Sequence, residues 1–234
     1  MYTLSFTQHH HTRRFYIRYL LVGCIALITA PAWSNPQDAV ESWELKRDDE
    51  GIQIYTSNVS NSKFKAVKAV MQIPTNLHAL TALVQDAESC PDWADLCKEA
   101  KVIETVSDTE MYVYTLNDLP WPVSDRDAIA HVIWEQQAED ASVVMHATVA
   151  PDKLPKTKGK VRLQYGYTSW KFTPLENGEI AVESFAHVDP GGATPAWLTN
   201  RLLTESPFVT LKAMRKLIAD GAYKDASIGF ITKP

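Results

Sequence analysis

From residue 100 to residue 188 the chain reads as one strand after another. From Asp189 it changes to a single long helical run. Alternating apolar and polar positions mark strands over residues 100–106, 110–117, 126–136, 142–149, 160–173 and 179–188. The parting signals are short: Ser107-Asp108, Glu139-Asp140, the Pro155–Gly159 stretch, and Glu176-Asn177-Gly178, the sharpest hairpin signal of the set. Consecutive strands joined by short turns predict an antiparallel meander. The closing run opens with Asp189-Pro-Gly-Gly-Ala-Thr-Pro, in which Thr194 can cap and Pro195 suits a first helical turn. Leu198, Leu202, Ser206, Val209, Ala213 and Leu217 then recur at spacings of three and four, so they share one helical face. Pro207 inside this run removes a hydrogen-bond donor and predicts a bend. A long helix that follows the strands without alternating with them predicts an α+β fold with the helix laid over one face of the sheet.

Ahead of this block, residues 43–55 read as a lead, a turn at Gly51 and a strand, and residues 63–73 as a second, half-buried strand pairing with it. Pro74 ends that strand, and Thr75 or Asn76 caps a helix carrying Leu77, Leu80, Leu83 and Val84. Trp93, Leu96 and Cys97 fall in an irregular segment. Residues 221–234 read as a loosely ordered tail. One domain over residues 35–220 accounts for the length.

The first 34 residues carry an address rather than a fold. Arg13, Arg14 and Arg18 precede an apolar run over residues 19–32 that contains no acid and is short for a membrane span. This is the pattern of a cleaved export signal, predicting a periplasmic protein, with cleavage after Ala32 or Ser34. Acylation at Cys24 as a lipoprotein and an uncleaved anchor are the alternatives. Removing residues 1–34 takes three of the 23 basic residues and none of the 28 acidic ones, leaving 20 against 28, a net charge of −8. Such a balance argues against nucleic acid as a partner. Cys90 and Cys97 then remain, and in an oxidising compartment they predict a disulfide, with free thiols the alternative.

Signals for catalysis are sparse. His9, His10 and His11 belong to the leader, while His78, His131, His146 and His187 are scattered singly. No Gly-x-Ser-x-Gly elbow occurs. Gly191-Gly192 matches a phosphate loop poorly and reads as a plain turn. No cofactor or metal is implied.

The segment Pro120-Trp121-Pro122-Val123-Ser124-Asp125-Arg126-Asp127 resembles the proline-tryptophan-proline, arginine-aspartate segment of START domains, the lipid-transfer modules related to the steroidogenic acute regulatory protein. Trp43 to Tyr55, Asp92-Trp93, Trp170 with Pro174, and Asp189-Pro-Gly-Gly with Pro195-Ala-Trp-Leu resemble their other landmarks, in order, over residues 40–218. The resemblance implies a helix-grip fold, a curved antiparallel sheet wrapped around a long C-terminal helix with a lipid-sized tunnel between. It implies a carrier of one lipid or other apolar molecule, with transient membrane contact. Trp197, Leu198, Leu202, Ser206, Val209 and Ala213 are the expected tunnel-lining face of the helix, and His146 and Arg162 the candidate polar contacts. Small residues at Ser206 and Ala213 would widen the gap. Trp121 is expected to plug the core rather than meet a membrane, and Arg126 and Asp127 to make structural salt bridges with other groups rather than to contact a ligand. Some sterol-binding members carry a buried arginine–carboxylate pair; the matching positions, Val113 and Val132, are apolar, which speaks against sterol specificity. A cyclase or aromatase of the same fold, with His146, Arg162 and Tyr165 as its polar groups, and a filled periplasmic interaction domain are the competing expectations.

Overall fold

The computed structural model describes residues 36–192, 194, 198–199 and 201–232. The expected export signal with Cys24, and Pro195 and Trp197, lie outside them.

Ten strands form one curved sheet, nine of them in an antiparallel path and the tenth, short one joined to it in parallel. Strands β1 (Glu44–Asp49), β2 (Ile52–Ser57) and β3 (Ala66–Ile73) form an N-terminal meander. Glu50 and Gly51, both at positive φ, make the first turn. Strands β4 (Cys97–Ser107), β5 (Glu110–Asn117), β6 (Arg126–Gln136), β7 (Val143–Val149), β9 (Tyr165–Pro174) and β10 (Ile180–Asp189) continue in sequence order. The two halves join where β10 pairs with β3, giving the order β1-β2-β3-β10-β9-β7-β6-β5-β4. β5 and β6 occupy the spans their alternation predicted. The predicted strand over 160–173 is instead two. Val161–Arg162 (β8) runs parallel to β6, with the Leu163 N–H donating to the Asp127 carbonyl at 2.9 Å, and β9 begins only at Tyr165.

Helix α1 (Leu77–Gln85) follows Pro74, and Asn76 caps it by accepting the Ala79 N–H at 2.9 Å. A short turn of helix, α2 (Cys90–Trp93), leads into β4, and a disulfide joins Cys90 to Cys97. The C-terminal run is not one uniform helix. Arg201–Glu205 is π-helical and α3 (Ser206–Ala219) follows it, so Pro207 stands in the first turn of α3 rather than in a helix interior. The wider π turn takes up the proline, whose ring would press on the carbonyl four residues back and whose missing N–H needs no partner in a first turn.

Helix α3 buries Phe208, Leu211, Met214 and Ile218 against Ile52, Ile54, Ile73, Phe172 and Val182 of the sheet. The β1–β2 hairpin holds its outer side. Arg47 lies over the Phe208 ring, 3.3 Å from its centre, and pairs with Glu205 at 3.0 Å. Lys212 meets Glu50 at 2.6 Å. The tail is packed, contrary to its expected looseness. Ile231 is buried in the core, Phe230 lies against Trp134, and the Ile228 N–H donates to His78 Nδ1 at 3.0 Å. No helix among the described residues is long and apolar enough to cross a membrane.

Candidate functional site

The core does not fill the whole space between sheet and helices. Where Leu211, Met214, Phe172 and Ile54 meet, packing is complete. Towards the π-helical segment a cavity of about 900 Å³ remains.

Its wall follows from the period of two. In β6, Ala128, Ala130, Val132 and Trp134 face it together with Arg126, while Asp127, Ile129 and His131 fall on the opposite face. One register row, Thr56–Val67–Ala186–Thr168–Ala147–Val132–Met111, crosses seven strands, and every member lines the cavity. The space exists because the sheet presents small side chains there. Ala100, Ala128, Ala130, Ala147, Gly166 and Ala186 stand where larger residues would reach the helices. The expectation that small residues on the helix open the gap is thus corrected towards the sheet. Ser206 does line the cavity, but Ala213 packs against the core beyond it. The inner end is closed by Trp93, Trp134 and Met145, Trp93 packing edge-on to Trp170 at 5.9 Å. The helix side is supplied by Val84, Leu96, Leu202, Leu203 and Ser206. Val113 and Val132 both face the cavity, so the wall is apolar where a buried arginine–carboxylate pair would sit.

Of the expected contacts, Leu202 and Ser206 line the cavity. Leu198 is fully buried but not on its wall, Val209 is 42% exposed on the far side of α3, and Trp197 lies outside the described residues. His146 and Arg162 are corrected outright. His146 faces away from the cavity, its Nδ1 2.6 Å from the Tyr167 hydroxyl. Arg162 makes a buried two-pronged pair with Asp127, Nε to Oδ1 at 3.1 Å and Nη2 to Oδ2 at 2.8 Å. It also donates to the carbonyls of Pro151, Leu154 and Pro155. Burial pushes the Asp127 carboxyl up, but hydrogen bonds from Arg162 and Thr157 and the Arg162 charge outweigh it and hold it below its ordinary value. This pair fastens the 150–164 connection to the outer face of β6. The expected structural pairing of Asp127 is what the structure shows. Tyr165 is half-exposed and does not line the cavity either.

Arg126, expected to make a structural salt bridge rather than a ligand contact, lies on the cavity wall. It is 5% exposed, and it donates through Nε to the Pro190 carbonyl at 3.0 Å, through Nη1 to Ser124 at 2.6 Å and through Nη2 to Gly191 at 3.0 Å. Burial pulls its pKa below the ordinary guanidinium value. It therefore ties the start of β6 to the Asp189–Gly192 turn, from which the C-terminal run departs. Trp121, expected in the core, is 90% exposed on the 118–125 loop, between the cavity-lining Leu119 and Arg126. The two prolines beside it supply no backbone N–H to a ladder, so the chain leaves the sheet here and carries the indole outward. Among the described residues, no group of three or more His, Cys, Asp or Glu side chains is placed to hold a metal.

A START domain family model matches residues 32–219. A protein of Pseudomonas aeruginosa, itself uncharacterized, is 33% identical over 175 residues, covering 75% of this chain and 86% of that protein. The crystal structure of a STAR-related lipid transfer protein from Xanthomonas axonopodis superposes with a TM-score of 0.70 at 32% identity, covering 76% of this chain and 99% of that one. Human StAR-related lipid transfer protein 5 superposes with a TM-score of 0.69 at 17% identity, over 76% of this chain and 86% of that one, a likeness of fold.

Proposed function

Since this chain belongs to the START domain family, we propose that it binds one lipid or other apolar molecule in the cavity and carries or sequesters it in the cell envelope. The observation that carries the reading is the cavity itself, about 900 Å³ walled by Ala, Val, Met and Trp side chains. That volume falls within the range of about 300–1,000 Å³ typical of ligand sites. Each methylene moved into such a wall gains about 0.8 kcal/mol, so a dozen supply about 10 kcal/mol before the costs of ordering. Export to the periplasm rests on the Arg13–Ala32 pattern, and the Cys90–Cys97 disulfide supports it, since such bonds persist in oxidising compartments.

Exchange needs contact with a membrane, and Trp121 is the side chain placed to make it. An indole that is nearly all exposed, on a loop whose flanking residues Leu119 and Arg126 line the cavity, suits the lipid–water interface. Native mass spectrometry of protein purified gently from its host is expected to show one bound apolar molecule per chain. Vesicles carrying labelled lipid are expected to lose label to the protein, and Trp121→Ala to slow that loss without removing bound ligand. A chain that is uniformly empty and extracts nothing overturns the reading.

A further inference from the structure

The cavity is apolar at one end and cationic at the other. The cationic end is found by following the strands. Val67, second residue of β3, stands opposite Ala186, and two and four residues further along β10 and its turn come Val188 and Pro190, whose carbonyl Arg126 holds. Lys63 and Lys65, just before β3, therefore stand at the same end as Arg126, and all three line the cavity together with Lys46. Lys46 is paired with Glu44. Among the described residues Lys63 makes no ion pair, Lys65 attracts Glu44 only from beyond ion-pair distance, and Arg126 is satisfied by carbonyls alone.

The cavity's two acids offer these cations nothing. Asp95 is paired with Arg201 at 3.2 Å, and Asp86 accepts the Tyr223 hydroxyl at 2.7 Å. A buried guanidinium without a carboxylate is costly to hold. It is the more unusual here because the chain carries more acid than base. An unpartnered polar group lies further along the same wall, in the register row of Val132. Thr56, opposite Val67 and 3% exposed, lines the cavity with a hydroxyl that has no hydrogen-bond partner. A buried polar atom left in this way marks a place where a partner is expected.

We propose that the ligand is an amphiphile with an anionic head, a carboxylate or a phosphate on an acyl chain. Its chain lies against Trp93 and Trp134, and its head meets Arg126, Lys63 and Lys65. This rests on the cavity-binding reading above and names the ligand class for that site. The head supplies the negative charge that Arg126 lacks, and its oxygens accept from the guanidinium. The two lysines at the rim attract the head before it is buried, in the manner of charges that govern encounter more than final affinity.

The test uses three ligands that share one chain: oleate, 1-oleoyl lysophosphatidate and oleyl alcohol. Binding is followed through tryptophan fluorescence, since Trp93 and Trp134 line the cavity. At least one anion is expected to bind about tenfold or more tighter than the alcohol, the size of effect that charge-assisted hydrogen bonds give. The anion that binds tighter identifies the head as carboxylate or phosphate. Lys63→Gln with Lys65→Gln slows association of the anions more than that of the alcohol, and added salt does the same. Arg126→Gln removes the preference; should that variant fail to fold, the lysine pair and the salt dependence decide alone. Equal binding of anions and alcohol overturns the proposal and leaves the cavity-binding reading standing. Failure of all three to bind overturns both.

Discussion

At the scale of single residues, the pair that does most for the fold is Asp127 and Arg162, both almost wholly out of solvent. Removing one partner of such a pair strands the other charge, which costs about 3–5 kcal/mol, whereas replacing both with well-packed apolar groups costs far less. Asp127→Asn is thus expected to lower stability by about that amount in urea unfolding at neutral pH. The pH dependence has a definite sign. The folded-state pKa of Asp127 lies below its unfolded value, so its contribution is fully present above about pH 4 and is lost as pH falls through the folded value. Asp140 acts in the same direction from a more exposed position, held at about 2 first by its hydrogen bonds with Ser142 and then by Lys171. Acid titration is expected to show wild-type stability falling below pH 4, and Asp127→Asn to lose part of that slope. A variant with an unchanged slope would show that the acid sensitivity lies in other carboxylates. Little of this was legible beforehand. The pairing of Asp127 with something other than its neighbour follows from strand alternation. Its partner, 35 residues on, follows only from β8 running parallel to β6.

At the scale of elements, the Cys90–Cys97 bond ties α2 to the first residue of β4, and Cys90 also lines the cavity. Closing so short a loop is worth about 2–3 kcal/mol in the chain-entropy account. Reduction, or Cys90→Ser with Cys97→Ser, is expected to lower the melting temperature by several degrees and to loosen ligand retention, because one wall of the cavity is then free to move. Calorimetry with and without reductant checks the first outcome, and off-rates of bound ligand the second. Strands such as β5 and β6 were legible because their period of two is unbroken from end to end. The split between β8 and β9 was not, since Leu163 and Gln164 carry no turn signal and the break is imposed by pairing with β6. The tail reads as loosely ordered, rather than packed, for a related reason. Ile228, Phe230 and Ile231 have no helical or strand period, and only Trp134, His78 and Gln136, all distant in sequence, show where they belong.

At the scale of the whole molecule, the balance between filled core and open cavity is set by which side chains stand on one face of one sheet. Ala130→Phe or Ala147→Phe places a ring in the cavity without asking the surrounding core to move. Overpacking penalties of about 1–3 kcal/mol apply where no room exists, so here stability is expected to hold while ligand occupancy in native mass spectrometry collapses. A variant that still carries its ligand would place the binding site elsewhere. The alanines were in plain view, since Ala128-x-Ala130 in a strand and the lone Ala147 and Ala186 are a recognisable pattern of missing bulk. It takes the register row from Thr56 to Met111, crossing seven strands, to show that they line one space.

The junction of β3 with β10 joins residues 66–73 to residues 180–189, more than a hundred positions apart. During synthesis, β3 leaves the ribosome long before its partner exists, and its free edge stays open until about a hundred further residues have been added. The sheet, and with it the cavity, closes only after β10 has emerged. Contacts so distant in sequence slow folding, so the newly made chain passes through an interval in which it can still be threaded, held by a chaperone, or lost to aggregation.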